Sequence, residues 1–150
     1  MKMQKKIKKV MVFGTFDIFH KGHENFLKQA RKYGDRLIVV IARDKTVFEV
    51  KKQKTRNKEQ ERLKILADNN PSDSIILGSL GDKYAVIKKY QPDVICLGYD
   101  QNIFVKDLRR KLGEFELDKT KVIRLKSYYP EKYKTSLLKN YVRHKVHSGK

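Results

Sequence analysis

The stretch Arg36-Leu37-Ile38-Val39-Val40-Ile41-Ala42 is almost continuously apolar and rich in β-branched residues. A strand with one wet face alternates polar and apolar residues. A strand without alternation is covered on both faces, as strands inside a parallel sheet are. Parallel neighbours need long crossover connections, usually helices, and the chain supplies them. Lys9–Gly14, Ser74–Leu77, Asp93–Leu97 (opened by Pro92, stopped by Gly98) and Lys121–Leu125 read as further strands. Lys21–Tyr33 reads as a helix with Phe26, Leu27, Ala30 and Tyr33 on one face, ended by Gly34. Lys58–Asn69, Tyr84–Tyr90 and the spacing Val105, Leu108, Leu112, Phe115 predict three more helices. A closing helix is expected from about Thr135, packed through Leu137, Leu138, Tyr141 and Val142. The polar, lysine-rich stretch Lys51–Lys58 reads as a mobile loop. The expectation is one α/β domain over residues 1–150, a single parallel sheet of about five strands with helices on both faces.

In such sheets ligands bind beyond the carboxyl ends of the strands. Three polar segments fall there: after Phe13, after Ile41 and after Leu97. The first is the richest. Val10 to Phe13 is a strand, Gly14-Thr15-Phe16-Asp17 a turn, and His20-Lys21-Gly22-His23 the start of a helix. Gly14 lets backbone approach a ligand closely. Thr15 offers a hydroxyl and an amide, and Phe16 an apolar wall. His20 and His23 share one face of the first helical turn. Gly22 between them leaves room for a phosphate or a base. Free amides and the positive end of the helix dipole point the same way, an arrangement suited to a phosphate.

Charge fits an anionic ligand. Lys and Arg number 36 against 17 Asp and Glu, a formal net charge of +19. The basic runs Lys2–Lys9 and Lys51–Lys64 contain no aromatic side chains for stacking on bases. Nucleic acid is therefore not the expected partner, although a non-catalytic nucleotide- or nucleic-acid-binding module is the competing class. One cysteine, Cys96, lies in an apolar run and excludes an internal disulfide. That suits a reducing, cytoplasmic setting. The apolar run Val10–Phe13 is too short for a signal peptide and no stretch is long enough for a membrane span. His144 and His147, in the basic tail, read as solvated or anion-facing, and no metal site is expected.

The segments Gly14-Thr15-Phe16-Asp17 and His20-Lys21-Gly22-His23 resemble the signature of the cytidylyltransferase-like nucleotidyltransferase superfamily. The resemblance implies a Rossmann-like domain that transfers a nucleoside monophosphate from a nucleoside triphosphate and releases pyrophosphate. Further segments extend it: Ala42-Arg43-Asp44-Lys45-Thr46-Val47, Glu61-Arg62, Leu97-Gly98-Tyr99-Asp100-Gln101 and Lys134-Thr135-Ser136. Together they look most like the archaeal type of FAD synthetase, which implies AMP transfer from ATP to FMN. The other near relative is glycerol-3-phosphate cytidylyltransferase, which implies CTP and glycerol 3-phosphate. Members acting on phosphopantetheine or a nicotinamide ribonucleotide are a further option. Lys134-Thr135-Ser136-Leu137 departs from the superfamily's Arg-Thr-Ser-Ser type sequence and loses the two-pronged geometry of arginine.

On this reading His20, His23 and Lys52 are the catalytic candidates. Gly14, Thr15, Phe16, Lys21, Gly22, Gly98, Asp100, Gln101, Lys134, Thr135 and Ser136 join the histidines around the nucleotide. Asp17, Lys51 and Arg62 are the candidates for the substrates' remaining groups, Arg62 for the acceptor's phosphate. Mg²⁺ is expected with ATP, bridging phosphates and taking few protein ligands. The superfamily resemblance also implies a possible homodimer.

Overall fold

The structure is a computed structural model that describes residues 6–101 and 105–127. Its strands are β1 (Lys9–Gly14), β2 (Arg36–Ile41), β3 (Ser74–Leu77), β4 (Val94–Leu97) and β5 (Lys121–Arg124). They form one sheet in the order β3-β2-β1-β4-β5, and every neighbouring pair is parallel. The connecting helices are α1 (Lys21–Arg31), α2 (Asp44–Lys51), α3 (Glu59–Asn69), α4 (Ala85–Tyr90) and α5 (Leu108–Glu114).

The unalternating β2 sequence serves two cores at once. Leu37, Val39 and Ile41 enter one, with Val10, Val12 and Cys96, covered by Leu27 and Ala30 of α1 and Leu66 of α3. Ile38 and Val40 enter the other, with Met11, Ile95 and Leu97, covered by Val86 and Ile87 of α4 and Leu108 and Leu112 of α5. Each fully buried Val, Leu or Ile contributes about 1.5–3 kcal/mol relative to exposure, so helices on both faces follow from the strand sequence.

Three expectations change. Helix α1 stops at Arg31, and Tyr33 lies in the following turn, 38% exposed, instead of on the packed face. The turn is tight at Gly34, where a Cβ would stand 2.7 Å from the Lys8 carbonyl oxygen and 2.6 Å from Val10. Helix α2 occupies Asp44–Lys51, so the lysine-rich stretch starts at a helix end. Its β-branched and aromatic residues have weak helix propensity, and of its side chains only Val47 is buried. The Val105–Phe115 pattern divides into a 3₁₀ turn (Val105–Asp107) and α5. The closing helix expected from Thr135, and His144 and His147, lie outside the described residues.

From β1 the chain works outward to β2 and β3, then returns across the sheet to β4 and β5. The strand order therefore reverses between β1 and β4, and a crevice opens at their carboxyl ends. No helix among the described residues is long and apolar enough to cross a membrane.

Candidate active site

The turn after β1 is held in an unusual backbone conformation. Phe16 has φ 51°, in the left-handed region that a non-glycine residue enters only at a cost of about 1 kcal/mol or more. Its ring folds back over Gly14, where a Cβ would lie 2.6 Å from the ring. Gly14 thus makes room for Phe16, which is a different reason from the close ligand approach read in the sequence. Phe16 is buried and meets the His23 ring edge-on, centroids 5.1 Å apart.

His20 is the N-cap of α1, and its extended backbone (φ −143°, ψ 177°) turns the chain into the helix. Its Nδ1 accepts from the Gly22 amide at 3.0 Å, and its side chain also accepts from the His23 amide. His23 Nδ1 in return accepts from the His20 amide at 3.4 Å. This is a reciprocal capping box made by two imidazoles instead of the usual hydroxyl and carboxylate. The Gly22 and His23 amides that the sequence left free for phosphate are therefore engaged by His20. Because each Nδ1 accepts, each ring in its neutral form carries its proton on Nε2.

The two rings stack, centroids 3.8 Å apart, and His23 also stacks on Phe19. Burial pushes the His23 pKa down to about 3, helped by His20 and Lys51 and opposed by a hydrogen bond to the Ile18 backbone. Burial also lowers His20. The pair is thus suited to donating hydrogen bonds as neutral imidazoles. Positive charge comes from Lys51, whose Nζ lies 3.4 Å from the Thr15 hydroxyl. Lys52, the neighbouring C-cap of α2, is exposed and left-handed at φ 57°.

A polar lattice braces this turn from beneath. Arg62 is 0% exposed. Its guanidinium donates to the Thr15 carbonyl at 2.8 Å, the Asn57 carbonyl at 3.1 Å and Asp44 Oδ1 at 2.7 Å. Asp44 and Glu59 cap each other's helices: the Asp44 amide donates to Glu59 Oε1 and the Glu59 amide to Asp44 Oδ2. Arg43 joins Glu59 to the Gly78 carbonyl beyond β3. Burial alone would raise the Asp44 carboxyl, but hydrogen bonds from Arg62 and the Glu59 amide, with the Arg62 charge, leave it below its usual value. Asp17 is also buried, 3% exposed, and accepts from the Arg56 and Asn57 amides at 2.8 and 2.9 Å. Asn57 Nδ2 donates to the Asp17 carbonyl. The loop expected to be mobile is therefore tied at its far end to the β1–α1 turn.

The other side of the crevice is built from main-chain contacts. Gln101 bridges it: its Nε2 donates to the Phe13 carbonyl at 2.7 Å, and its Oε1 accepts from the Gly98 amide at 2.8 Å. Arg124 donates to the carbonyls of Gly98, Tyr99 and Gln101. Asp100 is exposed at the rim.

The structure thus brings Gly14, Thr15, Phe16, Asp17, His20, Lys21, Gly22, His23 and Lys51 to the carboxyl end of β1, with Gly98, Asp100 and Gln101 across the crevice. Asp17 and Arg62, read as substrate ligands, sit beneath the surface with protein partners on their polar groups. Lys134, Thr135 and Ser136 lie outside the described residues. Sequence reasoning assigned no role to Arg43, Asp44, Asn57, Glu59 or Arg124. Acidic residues at the first positions of α2 and α3 were the available signal for the mutual cap.

A parallel sheet with a paired-imidazole helix start at its switch point defines a Rossmann-like nucleotide-handling domain. The Cytidylyltransferase-like family model matches residues 11–141, and the chain belongs to that family. The chain is 41% identical to the FAD synthase of Aciduliprofundum boonei, over 80% of this chain and 79% of that one. It is also 41% identical to the FAD synthase of Pyrococcus horikoshii, over 85% and 87% of the two chains. Among solved structures, a lipopolysaccharide core biosynthesis protein from Thermoplasma volcanium superposes with TM-score 0.75 at 35% identity, covering 82% of this chain and 99% of that one. Pantoate-β-alanine ligase from Francisella tularensis shares the fold at TM-score 0.59 and 20% identity, covering 82% and 60%.

Proposed function

We propose that the chain is an FMN adenylyltransferase, joining AMP from ATP to FMN to give FAD and pyrophosphate. The observation that carries the reading is the neutral, stacked His20–His23 pair beside Lys51 in a chain about 41% identical to FAD synthases over most of its length. An oxygen of the FMN phosphate attacks the α-phosphorus of ATP, a new P–O–P bond forms, and the bond from the α-phosphorus to the bridging oxygen breaks. The FMN phosphate is already ionised at neutral pH, so no protein base is required. Catalysis then rests on placement and charge.

In this reading ATP lies with its triphosphate over the start of α1, against Gly14, Thr15, Phe16, Lys21 and Gly22. His20 and His23 are the neutral donors to phosphate oxygens. Lys51 and Lys52 neutralise the charge that moves to pyrophosphate, and Lys134, Thr135 and Ser136 hold its far end. Gly98, Asp100 and Gln101 border the nucleoside. Asp17 and Arg62 act from below by holding the turn. Among the described residues no three carboxylate, imidazole or thiolate groups converge as a cation cage. Magnesium would enter with ATP in the same reading and screen its phosphate charge. A cytoplasmic location and a homodimer belong to the same reading. They are supported by the lone buried Cys96 and by the exposed apolar Phe48, Val50 and Leu80.

Incubation with ATP, FMN and Mg²⁺ should yield FAD and pyrophosphate, with no product from CTP and glycerol 3-phosphate. The reverse pattern would make the chain a cytidylyltransferase. Nucleotide or oligonucleotide binding without turnover of either pair would make it a binding module. His20→Ala and His23→Ala should each slow turnover by ~10²–10³, the usual effect of removing one transition-state donor. Undiminished rates in both would remove the pair from the chemistry.

A further inference from the structure

Helix α2 is held differently from the other connecting helices. Helices α1, α3, α4 and α5 seat Leu27, Leu66, Ile87 and Leu108 in the two cores. Among the described residues no α2 side chain belongs to either core. Only Val47 of α2 is buried, and Phe48 and Val50 are exposed. Apolar packing therefore does little to fix the direction of α2. Polar contacts at its first residue do that instead.

The Asp44 carboxylate gathers the segment. Its Oδ1 accepts from Arg62 at 2.7 Å and from the Thr55 hydroxyl at 3.2 Å. Its Oδ2 accepts from the Glu59 amide at 3.1 Å. Glu59 replies with its side chain: Oε1 accepts from the Asp44 amide at 2.9 Å and Oε2 from Arg43 at 2.7 Å. Residues 44–59 thus form a loop tied where its two ends meet, with Lys51 at the far end of α2. Arg62 also donates to the Thr15 carbonyl, and Lys51 Nζ lies 3.4 Å from the Thr15 hydroxyl. The circuit runs from Thr15 through Arg62, Asp44 and α2 back to Thr15. We propose that Glu59 is a positioning residue for the transfer step: by capping the start of α2 it sets where Lys51 meets the triphosphate.

The assignment rests on the adenylyl-transfer reading above, in which Lys51 neutralises charge on the leaving pyrophosphate. Its force comes from leverage. An eight-residue helix is about 12 Å long at ~1.5 Å per residue. A tilt of roughly 10° about the cap would carry the Lys51 end by about 2 Å over that length. A misplacement of ~1 Å at a reacting centre can cost ~10² in rate. The flexible four-carbon stem of lysine recovers part of the reach, so the loss should be smaller than that. The contacts that hold the imidazole turn do not pass through the Glu59 side chain. Arg62 keeps both Asp44 and the Thr15 carbonyl without it. Removing that side chain therefore loosens Lys51 and leaves the turn in place.

The test is a double-mutant cycle on Glu59 and Lys51, read as kcat and as KM for each substrate. Glu59→Ala should lower kcat about tenfold and leave KM for FMN within about twofold. Glu59→Gln keeps an acceptor for the Asp44 amide but loses the Arg43 ion pair, and its kcat should fall between the two. Lys51→Ala should be slower than wild type by ~10²–10³. In that background Glu59→Ala should cost less than about twofold, because the group it aims is gone. A purely structural role for Glu59 would lower both backgrounds by the same factor. Equal factors, an undiminished kcat in Glu59→Ala, or full activity of Lys51→Ala overturns the assignment. If Glu59→Ala does not fold, the isosteric Glu59→Gln takes its place in the cycle, and the same outcomes decide. Wild-type protein that forms no FAD from ATP and FMN fails the FMN reading itself, before any variant is compared.

Discussion

The two sides of the crevice are held by different chemistry. On the β1–β2–β3 side, charged groups do the bracing: the buried Arg62, with the partly exposed Asp44, Glu59 and Arg43, links the ends of three strands, and the buried Asp17 fastens the following loop. On the β4–β5 side, Gln101 and Arg124 reach main-chain carbonyls and amides, and the contacts are part-buried or exposed. A charge sealed from water is costly to leave unpaired, so the first side admits one arrangement and is rigid. Hydrogen bonds near water, such as those of Gln101 and the exposed Arg124, are replaced more cheaply, so the second side can adapt. The rigid side carries the stacked imidazole pair proposed to meet phosphate. The adaptable side carries the loop at residues 98–101, proposed to border the nucleoside.

If that contrast is right, Arg62→Met produces the largest loss. It leaves the Thr15 and Asn57 carbonyls without their donor and Asp44 without its ion-pair partner, and the cost, chiefly from the two part-buried carbonyls, is about 3 kcal/mol. Thermal or urea unfolding measures it. A loss under 1 kcal/mol would mean the rigid side is not rigid. Asp17→Asn comes next, at about 2 kcal/mol, because an amide accepts one of the two backbone N–H groups and presents a donor to the other. Its signature is earlier proteolysis within residues 52–58, where the wild type is pinned.

Legibility in the sequence divides along the same line. The sheet was readable because burial on both faces writes an unbroken apolar run, and β2 shows it from Leu37 to Ile41. The His20–His23 turn was readable because its spacing and its helix start are local. Arg62 was not. A lone arginine beside a predicted site reads in sequence as a ligand for the acceptor's phosphate, and its three protein partners come from residues 15, 44 and 57. Lys51–Lys58 looked mobile because it is polar and lysine-rich, yet Asp17, remote in sequence, pins it. Helix α2 was missed because its Asp44 cap is completed by Glu59, fifteen positions on.

The imidazole pair sits on the rigid side, and pH tests its neutrality. The folded-state pKa of His23 is about 3 against 6.5 for an unperturbed histidine. Between those values the unfolded chain binds the extra proton, so stability falls as pH drops from 6.5, by up to about 1.4 kcal/mol per pH unit. His23→Asn keeps an acceptor for the His20 amide and removes the titration. Its stability should therefore decline less steeply than the wild type between pH 6.5 and 4. Parallel curves would mean that His23 ionises freely in the folded protein.

The smallest effect is expected across the crevice. Gln101→Ala removes one donor to the Phe13 carbonyl and one acceptor from the Gly98 amide. Both groups are part-buried and close to solvent, so water can take the vacated places and the loss should be about 1 kcal/mol. The effect on substrate use is the sharper readout. The Gln101 bridge connects β1, which carries the imidazole turn, to the loop that Arg124 holds. Loosening it should raise KM for ATP, whose nucleoside this loop borders in the proposed reading, more than it lowers turnover of bound substrates. A fall in kcat equal to that of His20→Ala, with KM unchanged, would show that the β4 loop is part of the rigid machinery, and the distinction between the two sides would fail.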